Sequence, residues 1–330
     1  MDVISLDDPT DAQIGQWHAV LEAVHRFDPA GEPAPVREQT AQHLRGGRHQ
    51  RLWAAVDDGG RAVAVAALRL PGGPGADRPG EIDIRVHPAY RRRGLGTRLM
   101  AVAAEGLRAD GRSSVIAQVL AGTPAVPFLE SHGFSCVLTL SGLLLRLDDL
   151  PPDRVPSLVA AGPPGYRLVR WRGAVPDRYA DALARAKHAM ADLAEYEGLP
   201  WNARRVREMA EMVARRGDDL YTVAAVQGST VAGFTEIVVP AEAPERAAQY
   251  DTAVVPEHRG RRLGIWVKAA MLEWLAAERP EVREIETDNV GDNKHMLAVN
   301  EELGFRRQRE SREYQAAAED LPTIAATTVR

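Results

Sequence analysis

Apolar residues recur along the chain with two periods. Between residues 11 and 26, Trp17, Val20, Leu21 and Val24 fall on one face at three- and four-residue spacing, which predicts a helix. Residues 36–44 predict a second one. Short apolar runs at 3–6, 52–56 and 62–70 predict strands, and Asp57-Asp58-Gly59-Gly60 turns the last two into a hairpin. After a Pro/Gly loop at 71–80 come a strand at 81–88 and an Ala/Leu-rich helix at 97–107. A strand at 115–120, a short helix at 124–132 stopped by Gly133 and an apolar hairpin at 137–147 complete the series.

The order then restarts. A strand is predicted at 166–171, helices at 176–194 and 203–215, and a hairpin at 220–226 and 231–239. A strand at 250–256, a helix at 265–277, a strand at 284–288 and a helix at 292–303, stopped by Gly304, follow. Gly96 and Gly264 are 168 residues apart, and Gly133-Phe134 and Gly304-Phe305 are 171 apart, so the chain repeats itself. A period this long means two copies of one domain. Residues 149–165, with prolines at 151, 152, 156, 163 and 164, read as the linker between domains 1–148 and 166–330. The fold class is α/β (α+β layered): two tandem domains, each a mixed, mostly antiparallel sheet flanked by helices. The tail, 316–330, reads as irregular.

Composition narrows the function. With 45% hydrophobic and 26% charged residues the chain is an ordinary globular protein. A net charge of −5, with arginines gathered at two turns, argues against nucleic-acid binding. The single cysteine, Cys136, rules out an intrachain disulfide or a cysteine-rich metal site and reads as a buried small hydrophobe; no metal is expected. No apolar run reaches the ~18 residues of a membrane span, and the N-terminus lacks a signal-peptide pattern, so a cytoplasmic monomer or homodimer is expected.

The two basic turns carry the chemistry. Arg91-Arg92-Arg93-Gly94-Leu95-Gly96 sits between a strand and a helix, and His258-Arg259-Gly260-Arg261-Arg262-Leu263-Gly264 repeats that setting. The first N–H groups of a helix have no intrahelical partner, and the helix dipole makes that end partly positive. Such a turn holds a phosphate or pyrophosphate, with glycine allowing close approach and arginine adding charge. Neither turn ends in Gly-Lys-Ser/Thr, which excludes a Walker loop, and neither opens a first βαβ unit, which excludes a dinucleotide fingerprint.

Taken together, Arg91-x-x-Gly94-x-Gly96 with Gly133-Phe134, and Val255-Pro256-Glu257-His258-Arg259-Gly260 with Asn289, Asn293 and Asn300-Glu301-Glu302-Leu303-Gly304-Phe305, resemble the GNAT acetyltransferase superfamily. The resemblance covers about residues 1–148 and 166–315 and points to a tandem member. It implies that acetyl-coenzyme A is the cosubstrate and that a small-molecule amine attacks the thioester directly. It implies pyrophosphate binding at Arg91, Arg92, Arg93, Gly94 and Gly96 and at Arg259, Gly260, Arg261, Arg262 and Gly264. It also implies coenzyme contacts at Val86, Val254, Val255, Asn289 and Asn293, the pantetheine lying where one strand splays from the next.

An ammonium must lose a proton before it attacks, and a carboxylate can take it. Asp251 and Glu236 are the base candidates of the second copy, with Glu81 or Asp83 in the first. The first copy offers Gln118 and Thr123 where the second has asparagines. The tyrosine that the family places before its Gly-Phe signature is Leu129 in one copy and Asn300 in the other. His188, Tyr196 and Trp201 fall where the acceptor pocket is expected. The second copy is richer in polar groups, which places the chemistry there. A coenzyme-binding regulatory protein and a protein N-acetyltransferase fit the same residues as alternatives to the small-amine enzyme.

Overall fold

The computed structural model describes residues 1–28, 34–46, 49–72, 78–188, 200–291 and 293–324. They form two compact units: residues 1–140 with 309–330, and residues 141–308. None of their helices is long and apolar enough to cross a membrane.

In the first unit, β1 (Asp2–Ser5), β2 (Gln50–Val56), β3 (Ala62–Arg69), β4 (Gly80–Val86) and β5 (Ser114–Leu120) lie side by side in that order. Helix α1 (Asp11–Phe27) starts on a capping box in which Thr10 and Gln13 satisfy each other's backbone N–H. Its apolar stripe, Ile14, Trp17 and Val20, packs with Leu44 of α2 (Arg37–Arg45) on Leu52, Ala54 and Val65. Residues of opposite parity, Trp53, Ala64 and Leu68, face α3 (Leu95–Ala109) through Leu99, Met100 and Leu107. Both faces of the sheet are therefore covered, which is why its strands read as nearly continuous apolar runs. Helix α4 (Ala125–Glu130) follows β5.

The second unit repeats the plan. Its sheet order is β6 (Ser135–Arg146), β11 (Glu284–Val290), β10 (Arg246–Val254), β9 (Thr230–Val239), β8 (Asp219–Gln227), β7 (Arg167–Arg172). Helix α6 (Asp177–His188), followed by α7 (Ala203–Arg215), covers one face through Tyr179 and Leu183 against Ala224 and Phe234. The other face is covered by α8 (Leu263–Glu278), buried on nearly every side, with α9 (Lys294–Leu303) beside it.

Several expectations are corrected. The division at 148 and 166 is not the one the fold makes. The last strand of each sequence copy serves the other unit: residues 141–146 of β6 belong to the second, and residues 309–317 of β12 (Arg306–Ala317) to the first. There β12 runs antiparallel to β5 from Ser311↔Leu120 to Ala317↔Ser114, burying Tyr314, Ala316 and Leu321 in the core; a tail expected to be irregular is part of the sheet as far as Ala317. Where a hairpin is expected at 137–147, Ser135–Arg146 is one continuous strand, the lone Gly142 making no turn.

Residues 149–165 are not a bare linker either. They contain α5 (Arg154–Ala160), with Pro156 in the first turn, where a missing N–H costs nothing. This helix packs on α8, and the Trp266 indole donates to Val159 O at 2.9 Å. A Cβ on Gly162 would come within 2.5 Å of that indole, so the close approach requires glycine. Lastly, Cys136 is exposed, not buried.

Candidate functional site

The two sheets splay at equivalent places. Parallel pairing of β4 with β5 is confined to Gly80↔Val115 and Glu81↔Ile116, and that of β10 with β11 to Arg246↔Glu284, Ala247↔Ile285 and Ala248↔Glu286. Beyond these pairs a notch opens, as the resemblance implies. Only the second copy adds a bulge: Gln249 pairs with Ile237 and Thr252 with Thr235, so Tyr250 and Asp251 together oppose Glu236. The β3–β4 ladder shows no such shift from Ala64↔Val86 to Arg69↔Glu81. A bulge frees peptide groups from the ladder and re-aims side chains.

Both turns reach α3 and α8 through two left-handed residues. In the first they are Arg92 (φ 60°) and Gly94 (φ 76°); in the second, Gly260 (φ 75°) and Arg262 (φ 61°). The helix-start N–H groups are thereby presented in the same way. The room in front of them differs. A Cβ on Gly264 would meet only Val254, at 3.8 Å, whereas one on Gly96 would lie 3.0 Å from the Phe128 ring. An anion approaching the backbone fits the second turn more freely.

The arginines are largely committed to protein. Arg91 Nε donates to Val86 O and Arg259 Nε to Val254 O, both at 3.1 Å, the same strut in each copy. Arg91 also forks onto Asp28 at 2.7 and 2.9 Å. Arg93 donates to Ala89 O, Arg261 to the Tyr166 hydroxyl at 2.7 Å, and Arg262 pairs with Glu302 at 2.6 Å. Val255 N–H is spent on Ala232 O. Asn293 caps α9 by accepting from Met296 N–H, and Asn289 donates to Val290 O and Asn293 O, bracing the turn before that cap.

The bulge brings Asp251 and Glu236 to one cation. Lys187 Nζ, at the end of α6, lies 2.5 Å from Glu236 Oε2 and 2.6 Å from Asp251 Oδ2, between the Trp201 and Phe234 rings at 4.7 and 5.0 Å. The Lys187 and Glu236 side chains are 0% and 2% exposed, and that of Asp251 is 25%, so Asp251 alone of the three meets solvent. Burial works against the Lys187 charge, but the two carboxylates outweigh it and hold its pKa above the ordinary lysine value. Burial pushes the Glu236 carboxyl up, with Lys187 opposing and Asp251 adding to the rise. Glu236 is thus a buried partner of Lys187 and not a group that reaches an acceptor.

A second polar cluster lies under the same strand. Gln249 donates to Thr235 Oγ1 at 2.9 Å and Glu236 O at 2.6 Å, and accepts from Lys268 Nζ at 3.0 Å. Thr235 and Thr252 hydroxyls meet at 2.8 Å. Neither lysine stood out in the sequence, because each sits inside an otherwise helical pattern; a charge on the apolar face of α6 or α8 was the available signal.

Elsewhere, Glu81 pairs with Arg69 and Asp83 with Arg85. Gln118 sits in the β5–β12 ladder, paired with Glu313, and Thr123 donates to Leu120 O. Leu129 is buried core. Asn300 is 1% exposed, and its Oδ1 has no hydrogen-bond partner among the described residues. His188 contacts Trp201 O at 3.0 Å. Tyr196 lies outside the described residues. Among those described, no His, Cys, Asp or Glu cluster has metal-site geometry.

Comparison with known proteins extends the picture. The acetyltransferase (GNAT) family profile matches residues 17–134 and 187–305. A mycothiol acetyltransferase of Sanguibacter keddieii is 30% identical over 314 residues, covering 88% of this chain and 90% of that protein. One of Thermomonospora curvata is 31% identical over 201 residues, 59% of this chain and 63% of its own length. Among solved structures, a tandem GNAT protein from the clavulanic acid biosynthesis pathway superposes with a TM-score of 0.72 at 29% identity, over 96% of this chain and 98% of the other.

Proposed function

The chain belongs to the acetyltransferase (GNAT) family as a tandem member and is an acyltransferase, and from that premise we propose that its second unit moves the acetyl group of acetyl-coenzyme A to the amine of a small molecule. The observation that carries this reading is the β10 bulge with Asp251 at its edge. It occurs where β10 leaves β11, and the first unit has no counterpart.

The open helix start at Leu263–Gly264 suits the pyrophosphate, and the notch past Ala248 suits the pantetheine arm. When bound, the coenzyme supplies an activated carbonyl. Asp251, partly exposed, takes the proton of the incoming ammonium, directly or through water, while Lys187 fixes its orientation. N–H groups freed by the bulge are placed to stabilise developing negative charge on the carbonyl oxygen. The kinship with mycothiol acetyltransferases supports a small-molecule acceptor over a protein one.

The test is release of coenzyme A from acetyl-coenzyme A across a panel of primary amines. Turnover with one class of amine, reduced about 10²–10⁴-fold in Asp251→Asn, is expected. Full activity in that variant would remove Asp251 from the role of base.

A further inference from the structure

Lys268 is buried to 2% exposure in the second turn of α8. Among the described residues it forms no ion pair. Its ammonium meets the Gln249 carbonyl oxygen at 3.0 Å and lies 5.2 Å from the Phe305 ring centroid. A buried cation without a carboxylate is expensive, and packing does not demand it. The same position of α3 in the first unit, five residues into the helix, is Met100, which is 0% exposed. Each half of the chain thus solves the same packing problem, one with an apolar side chain and one with a charge.

The place of that charge is informative. Gln249 stands immediately after Ala248, the last β10 residue paired with β11, and opens the bulge. Its amide also binds Thr235 and Glu236 O, so the Lys268 charge is wired to the strand where the notch begins. Of the other charged groups on elements packed around α8, Glu236 and Asp251 are answered by Lys187, Asp219 by Arg172 and Arg279, Arg246 by Glu284 and Glu302 by Arg262. Burial alone brings the Lys268 pKa down to about 7, so an anion arriving nearby would decide whether the proton stays.

We propose that Lys268 supplies the positive charge that the departing sulfur of coenzyme A meets in the second unit. The inference rests on the proposed acetyl transfer in that unit. The amine nitrogen bonds to the carbonyl carbon, the carbon–sulfur bond breaks, and sulfur leaves with the electron pair. The amine's proton passes through Asp251 to solvent, and solvent in turn protonates the thiolate. Lys268 keeps its own proton throughout and acts by its field, as a positioned charge. Asn300 stands where a phenol would serve a thiolate as acid, and α9 offers none there.

The experiment uses the full chain and coenzyme A itself. Calorimetry on the wild type and on Gly264→Glu first counts the sites; if that substitution removes none, the proposed function fails before Lys268 is tested. The ultraviolet absorbance of the thiolate then follows ionisation of the bound thiol with pH. In the wild type one bound thiol should ionise at a pH lower by on the order of one unit than free coenzyme A. Lys268→Met, which installs the first unit's residue, should abolish that shift with binding retained, and Lys268→Arg should keep it. Identical thiol titrations in wild type and Lys268→Met would overturn the inference. Should neither variant fold, lysine side-chain NMR of the wild type decides. Bound coenzyme A must move the Lys268 titration to higher pH, because the coupling is reciprocal, and an unmoved titration also overturns it.

Discussion

Arg262 takes at φ 61° the left-handed N-cap conformation that Gly94 takes at φ 76° in the other unit. Arg92 and Gly260 show the same exchange two residues earlier. An L-residue in that region costs about 1–2 kcal/mol, partly offset by the lower chain entropy of a non-glycine when unfolded. Arg92→Gly should therefore raise stability by roughly 0.5–1 kcal/mol. Arg262→Gly should gain less, because it forfeits the exposed pair with Glu302, worth about 0–1 kcal/mol. Urea midpoints of the two variants measure the difference.

Lys187 holds two carboxylates, one fully buried. Removing one member of a buried pair costs about 3–5 kcal/mol, and Lys187→Met is expected in that range at pH 7. Without the ammonium, Glu236 folds most easily in its protonated form, so its pKa rises further above the unfolded value. The folded state then binds more protons, and stability falls as pH rises. The penalty should be smaller at pH 5 than at pH 7; a pH-independent loss would argue that lost packing dominates.

Lys268 gives the opposite sign. Its pKa is about 7 folded, against the ordinary 10.5 of an unfolded lysine. Between those values the unfolded chain binds more protons, so this residue makes stability rise with pH, by at most about 1.4 kcal/mol per unit. Below pH 7 the burial penalty is present in full; above 10.5 it is gone. Lys268→Met should flatten that limb and be more stable than wild type near neutrality, as followed by unfolding at several pH values.

The two turns should respond differently to a carboxylate. Gly264→Glu brings its Cβ only into ordinary contact with Val254 and should abolish coenzyme-dependent turnover, at a smaller cost in thermal stability than the equivalent change in the first turn. Gly96→Glu must displace Phe128, so it should lower the thermal midpoint while turnover per folded molecule largely survives. Loss of turnover in Gly96→Glu alone would move the chemistry to the first unit.

Much of this was legible in the residues. Helix 203–215 was placed to the residue, and both turns were found, because period and glycine spacing are local signals. Asp251 and Glu236 were named together from the strands they occupy. The bulge that joins them was not visible: Tyr250 and Asp251 share one partner only through pairing with β9. Lys187 was missed for a related reason, since what marks it is two carboxylates 49 and 64 residues away in sequence. Asn289 and Asn293 carried a family expectation of coenzyme contact; in the fold Asn293 caps α9 and Asn289 donates to Asn293 O. The exchange of β6 and β12 left no trace in hydrophobic pattern, since a strand's alternation does not say which copy's sheet receives it.

That exchange sets an order of birth. A ribosome delivers residues 1–140 before 141–308, yet their unit lacks Tyr314, Ala316 and Leu321 until the residues after 308 have been made. The segment 141–308, begun later, is complete sooner. The N-terminal half must wait as an unfinished sheet, its β5 edge open to stray pairing, while the half behind it closes. Nascent chains arrested once residue 308 has cleared the exit tunnel should show a protease-resistant second unit and a sensitive first one. Resistance of both would refute the order. A stop codon after residue 308 should therefore injure the first unit more than the second.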